Sequence, residues 1–150
     1  MSALVRRVIR TAKAPSAIGP YSQAVAINDT LYVSGQLGLL PESMTFAGDD
    51  VEAQTNQALK NISAILDAAQ LTMKNVVKTT VLLSDMNDFA KVNKIYGEYF
   101  SEPFPARAAF QVACLPKVRK PEIILIHGRM PRWKSRPLLR STQLLKNNTD

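Results

Sequence analysis

The strongest constraint on this chain is an amphipathic run from Val51 to Ala69, in which Val51, Ala58, Leu59, Ile62, Ile65, Leu66 and Ala69 recur at three- and four-residue steps. Such a stripe predicts a long helix with one face that must be covered, and Asp49-Asp50 ahead of it supplies an N-cap and negative charge at the positive helix end. Val76 to Leu83 is rich in β-branched residues and too short for a helix, which predicts a strand. A second stripe of Phe89, Val92, Ile95, Tyr96, Tyr99 and Phe100 predicts another helix, starting near Asn87 or Asp88 and stopped by Pro103 and Pro105. Upstream, Ala24 to Ile27 and Leu31 to Ser34 flank Asn28-Asp29, the pattern of a tight hairpin, and the Gly-, Pro-, Ser- and Asp-containing stretch to Asp50 reads as loop. Downstream, Ala106 to Val112 and Glu122 to His127 read as strands around a Leu115-Pro116 turn, while Leu4, Val8 and Ile9 suit a first edge strand whose other face is charged. This order predicts an α+β domain, with a six-stranded, mainly antiparallel sheet and two helices on one face. The other face needs cover, so association with further subunits is expected.

A chain of 150 residues, 46% hydrophobic, can bury a core without a metal or disulfides. Its longest apolar runs, such as Ile123 to Ile126, fall far short of the roughly 20 residues of a membrane-spanning helix, so no membrane partner is expected. One cysteine, Cys114, cannot close an intramolecular disulfide, and one histidine, His127, has no Cys or His at ligand spacing. These predict no metal site and a reducing compartment, the cytoplasm, with mitochondrial or nuclear pools compatible. Arg6, Arg7, Arg10 and Lys13, with no acid before Asp29, superficially fit a transit peptide, but the segment is serine-poor and the edge strand is the better reading. The net charge of +7 is unevenly spread: residues 129–150 carry Arg129, Arg132, Lys134, Arg136, Arg140 and Lys146 against Asp150 alone, which leaves the preceding 128 residues near +2. The division is therefore a domain over 1–128 and a basic, poorly ordered tail over 129–150.

The nucleophile inventory is thin, with no Gly-x-Ser-x-Gly elbow, phosphate-binding loop or dinucleotide glycine fingerprint. Cys114 reads as a small apolar residue at a strand end. Arg107 stands out, because a guanidinium flanked by Pro105-Ala106 and Ala108-Ala109 has room for a bidentate carboxylate from a ligand. By strand alternation it shares a face with Ala109 and Gln111, and a hairpin-like return would bring Glu122 close to it. The same placement would also suit a structural Arg107–Glu122 pair.

Five ordered segments carry a resemblance: Ala17-Ile18-Gly19-Pro20-Tyr21-Ser22-Gln23-Ala24, Tyr32-Val33-Ser34-Gly35-Gln36, Val77-Lys78-Thr79-Thr80-Val81, Asn87-Asp88-Phe89 with Val92-Asn93, and Phe104-Pro105-Ala106-Arg107-Ala108-Ala109. From about Arg7 to Ile126 the chain resembles the RidA branch of the Rid (YjgF-type) family of reactive-intermediate deaminases, and is close to its animal members. The resemblance implies a chorismate-mutase-like fold and a homotrimer with clefts at the subunit interfaces. It also implies hydrolysis of 2-imino acids, such as 2-iminobutanoate and 2-iminopropanoate, to 2-oxo acids and ammonia with no metal or organic cofactor. Carried over by position, Arg107 grips the substrate carboxylate and Glu122 positions or activates the attacking water. Tyr21, Ser34, Gly35 and Asn93 line the cleft, and Ala109 stands where some members have cysteine and contributes backbone groups.

The last strand departs from the family pattern of Glu-Ile-Glu-Ala. It reads Glu122-Ile123-Ile124-Leu125, preceded by Pro121, which removes a backbone donor and restricts Lys120. Two other functional classes stay open: an RNA-directed role (translation inhibitor, endoribonuclease or RNA-decay adaptor), to which the basic tail lends weight, and a non-catalytic trimer that binds 2-oxo acids.

Overall fold

The computed structural model describes residues 5–115 and the backbone of residues 123–129. Strand β1 (Arg6–Ile9) pairs antiparallel with β2 (Ala24–Ile27), and β2 turns back into β3 (Thr30–Gln36) through Asn28 and Asp29. Asn28 sits at φ 48°, a left-handed conformation that asparagine tolerates better than other residues with a Cβ. The loop that follows folds onto α1 (Val51–Ala68), whose N-cap is Asp50, its carboxylate accepting from the Ala53 amide at 2.7 Å. From one face of α1, Asn61 donates to the carbonyls of Leu37 and Leu39 at 3.0 and 2.9 Å, and Gln54 donates to that of Gly48 at 2.9 Å. The loop is thereby held against the helix through its own backbone carbonyls.

Beyond a 3-10 turn at Met73–Asn75 come β4 (Val76–Leu83), α2 (Phe89–Tyr99), β5 (Ala106–Gln111) and β6 (Ile123–Arg129). The hydrogen-bonded order is β1-β2-β3-β6-β4-β5. Every pairing is antiparallel except β4 with β5, which is parallel and bridged by the α2 crossover. The chain after β5 departs from the expected hairpin-like return. Instead of lying against β5, β6 enters between β3 and β4, with Ile126 opposite Val33 on one side and Thr79 on the other. The physical reason is that this slot gives β6 hydrogen-bond partners along both edges, whereas a place beside β5 would satisfy only one. Pro121, Glu122 and the basic segment 130–150 lie outside the described residues.

The core sits between one sheet face and the two helices. Leu59, Ile62, Ile65 and Leu66 of α1 and Val92 and Ile95 of α2 pack with Leu31, Val33, Val81 and Leu83 of the sheet. On the opposite face Val8, Val25 and Tyr32 follow one another in register across three strands, and Val8, Tyr32 and Phe110 are about half exposed. Among the described residues no helix is long and apolar enough to cross a membrane.

Candidate active site

Arg107 is placed by register. It pairs with Thr79 of β4, whose side chain is buried towards α2, so the arginine rises from the helix-bearing face of the edge strand. There its guanidinium carbon lies 4.7 Å from the centre of the Tyr96 ring and 5.6 Å from that of Phe89, both on α2. Among the described residues it has no carboxylate partner, the ion pair found there being Lys91 with Asp88 at 3.8 Å. A cleft of about 460 Å³ opens over the guanidinium, lined by Asn93, Tyr96, Gly97, Phe104, Pro105 and Arg107. A cation that lines such a cleft is suited to an anionic group on a small ligand. Ala109, two residues along the same face, is half-buried against the core and in register with Val81. Gln111, on the same face again, accepts from the Met86 amide at 3.1 Å.

The other predicted site residues gather elsewhere in the chain. Ser34 donates from its hydroxyl to the Ser22 carbonyl at 2.6 Å and from its amide to the Gln23 carbonyl at 2.9 Å, tying β3 to the segment that carries Tyr21. The buried Gln23 side chain fixes that segment in turn. It donates to the carbonyls of Thr11, Ala14 and Pro15 at 3.1, 3.2 and 2.8 Å, and accepts from the Thr11 amide at 2.7 Å. Tyr21, half exposed, lines a second cleft of about 590 Å³ with Arg10, Ser16 and Ser22. Ser34 and Gly35 stand on β3 and Arg107 on β5, with β6 and β4 between them. That separation is about 14 Å at the usual strand spacing. One chain thus brings Asn93 and Arg107 together in one cleft, leaves Ala109 beside it against the core, and holds Tyr21, Ser34 and Gly35 apart from them. A larger cleft of about 710 Å³, between the end of α1 and the segment after α2, is lined by Asp67, Lys74, Tyr99 and Glu102 among others and contains none of the predicted site residues. Among the described residues no group of His, Cys, Asp or Glu could hold a metal ion. Cys114 is exposed.

Tyr96 and Phe104 line the Arg107 cleft without having been singled out as site residues. Tyr96 counted only in the apolar stripe of its helix, yet it stands three residues after Asn93, the spacing that puts two side chains on neighbouring positions of one helix face. Gly97 beside it has open space where a Cβ would stand. Because a helical glycine costs about 1 kcal/mol relative to alanine, Gly97→Ala should stabilise the chain by about that amount, read as a higher urea midpoint.

Burial pushes the Tyr96 hydroxyl above its ordinary pKa, against weaker opposing effects of its hydrogen bond to Thr79 and of the Arg107 charge. Burial, and then the Glu98 charge, push Tyr99 up as well. Both phenols hold their protons more tightly in the folded chain than in the unfolded one. Their stabilising contribution is therefore complete below about pH 10, the unfolded value, and is lost as pH rises through the higher folded values. Urea midpoints should hold steady to about pH 9 and then decline, with a shallower decline in Tyr96→Phe.

The family model for Endoribonuclease L-PSP matches residues 11–127, which includes every residue that lines the Arg107 cleft. A human relative, 2-iminobutanoate/2-iminopropanoate deaminase, is 58% identical over 123 residues, 82% of this chain and 90% of its own. The chain belongs to this family, in its RidA branch. The RidA crystal structure from the Antarctic bacterium Psychrobacter is 45% identical with a TM-score of 0.79, covering 83% of this chain and 99% of that one. E. coli TdcF with bound serine is 38% identical with a TM-score of 0.78, covering 83% and 99%. The RidA-type α+β arrangement with two helices is thus shared with solved members.

Proposed function

We propose that this chain hydrolyses reactive 2-imino acids, 2-iminobutanoate and 2-iminopropanoate among them, to the 2-oxo acid and ammonia, in clefts completed between the subunits of a homotrimer. The observation that carries this reading is the guanidinium of Arg107, 4.7 Å from the centre of the Tyr96 ring and lining a cleft with Asn93. The name of the human relative specifies the imines, and serine bound to TdcF is a ligand with a carboxylate next to a nitrogen-bearing carbon. Two features support the trimer: the half-exposed Val8, Tyr32 and Phe110 on the helix-free face, and the distance within one chain between Arg107 and the Ser34 segment. A neighbouring copy would supply Tyr21, Ser34 and Gly35 to the cleft of Arg107. Residues 1–128 form the RidA-like domain, working in a reducing, cytoplasmic setting, and 129–150 are an appended basic tail.

In this site the Arg107 fork holds the carboxylate and so fixes the neighbouring imine carbon. A protonated imine is already electrophilic. Water adds to that carbon and gives up a proton, the nitrogen takes up a proton, and the carbon–nitrogen bond breaks with release of ammonia as the carbonyl forms. Glu122 is the carboxylate assigned to orient and deprotonate the water, and backbone groups at Ala109 assist in holding the ligand. No covalent nucleophile is needed.

The test is the rate of hydrolysis of 2-iminobutanoate, generated in situ by a threonine dehydratase, in the intact protein and in Arg107→Ala. Acceleration that disappears with the arginine supports the reading. A folded protein that binds 2-oxobutanoate without turnover would instead be a binding trimer. The family description of Endoribonuclease L-PSP favours an RNA-directed role as the second reading. It would be supported by salt-dependent RNA binding that vanishes on deletion of residues 129–150.

A further inference from the structure

Arg107 is exposed on an edge strand and has no ion-pair partner among the described residues, yet a carboxylate fork works only if its plane is fixed. The guanidinium sits in a set of contacts across three elements, with the Phe89 ring a further neighbour at 5.6 Å. Thr79 and Arg107 are register partners on β4 and β5. The Thr79 hydroxyl is hydrogen-bonded to the Tyr96 hydroxyl at 2.9 Å in the buried layer beneath α2. The Tyr96 ring lies 4.7 Å from the Arg107 guanidinium carbon and stacks on Phe100, with centroids 4.3 Å apart and 29° between the planes. Tyr96 is only 4% exposed, so its ring is held by the core while one surface meets the arginine.

We propose that Tyr96, pinned by Thr79, is a positioning residue for the carboxylate clamp: its ring is the platform that sets the guanidinium plane towards the cleft. This rests on the reading that Arg107 grips the substrate carboxylate, and it assigns a role to a buried hydrogen bond that the hydrolysis itself does not use. The two functions of the tyrosine separate chemically. Tyr96→Phe keeps the ring and removes the Thr79 bond, whereas Tyr96→Leu removes the ring. The carboxylate is a spectator to the reaction, so loosening its clamp weakens ground state and transition state alike and appears in KM rather than kcat.

The test measures KM and kcat for 2-iminobutanoate and the Kd for unreactive 2-oxobutanoate, with a urea melt for each variant. Tyr96→Leu is expected to raise KM and Kd about tenfold, and Tyr96→Phe about threefold, with kcat within about twofold of the parent. In a double-mutant cycle, Arg107→Lys should cost less in the Tyr96→Leu background than in the parent, because the platform is already gone. Unchanged KM and Kd in folded Tyr96→Leu would overturn the proposal. So would a loss confined to kcat with KM unchanged, the mark of a smaller folded fraction. Where Tyr96→Leu does not fold, Tyr96→Phe and the isosteric Thr79→Val decide, and parental KM and Kd in both would overturn it equally. Arg107→Ala run alongside distinguishes the two levels. If it leaves hydrolysis and Kd untouched, the clamp reading has failed and the platform falls with it. If it abolishes both while the Tyr96 variants behave like the parent, the platform alone is overturned.

Discussion

Arg107→Ala should lower kcat/KM for 2-iminobutanoate by about 100- to 1000-fold while leaving the urea midpoint almost unchanged. The magnitude follows from losing a two-pronged, charge-assisted contact worth about 3–4 kcal/mol, at about 1.4 kcal/mol per tenfold. Most of the change should appear in KM, since the carboxylate does not react. A smaller part should appear in kcat, because a carboxylate held in fewer ways leaves the imine carbon less well aligned with the attacking water. Stability should be nearly spared. Arg107 is exposed, makes no ion pair among the described residues, and contributes to the fold through its contacts with the Tyr96 and Phe89 rings. Such contacts are worth about 1 kcal/mol each at a partly solvated site. Arg107→Lys keeps the charge but not the planar fork, so an intermediate loss of about tenfold is expected. A hydrolysis rate indifferent to both substitutions would remove the clamp from the mechanism.

Local periodicity made α1, β4 and α2 legible from the sequence, because each shows its buried face within its own residues. The Val76 to Leu83 strand has the boundaries expected of it, and α1 ends within one residue of its stripe. The place of β6 was not legible. Ile123 to Ile126 reads as apolar whichever neighbours it has, and the choice between the edge beside β5 and the slot between β3 and β4 depends on pairings with residues about 45 and 90 positions away. The site divides in the same way. Arg107 and Asn93 meet because a parallel β4–α2–β5 unit brings the start of β5 under the middle of α2. Tyr21, Ser34 and Gly35 belong to the opposite half of the sheet, a separation within one chain that no local pattern displays; only the uncovered sheet face and the family resemblance point from the sequence towards clefts between subunits. Tyr96 went unnoticed for a different reason. A tyrosine in an apolar stripe looks like core, and it is core; its second role depends on which side chain lies across its ring.

The largest stability loss from a single added methyl group is expected at Gly38. A Cβ there would stand 2.5 Å from both the Cα and the carbonyl oxygen of Gln54 and 2.8 Å from its carbonyl carbon. All three are backbone atoms inside α1, so no rotamer change can make room. The loop cannot easily lift away either: Asn61 holds the carbonyls of Leu37 and Leu39 on each side of the glycine, and the Gly38 carbonyl accepts from the Ala47 amide at 2.9 Å. Gly38→Ala must therefore displace either the helix or the loop and break some of these bonds, a loss of about 3 kcal/mol or more. Gly48→Ala is the control for a milder clash, since its Cβ would meet the Ala53 methyl group at 2.9 Å near the start of α1, where the chain can yield; about 1 kcal/mol is expected. With Gly97→Ala predicted to stabilise, the same substitution at three glycines should give a large loss, a small loss and a gain. That ordering follows from what each new Cβ would meet rather than from any general property of glycine. A Gly38→Ala protein with the parental urea midpoint would mean that α1 and the loop after β3 are not in the close contact that the Gly38–Gln54 approach describes.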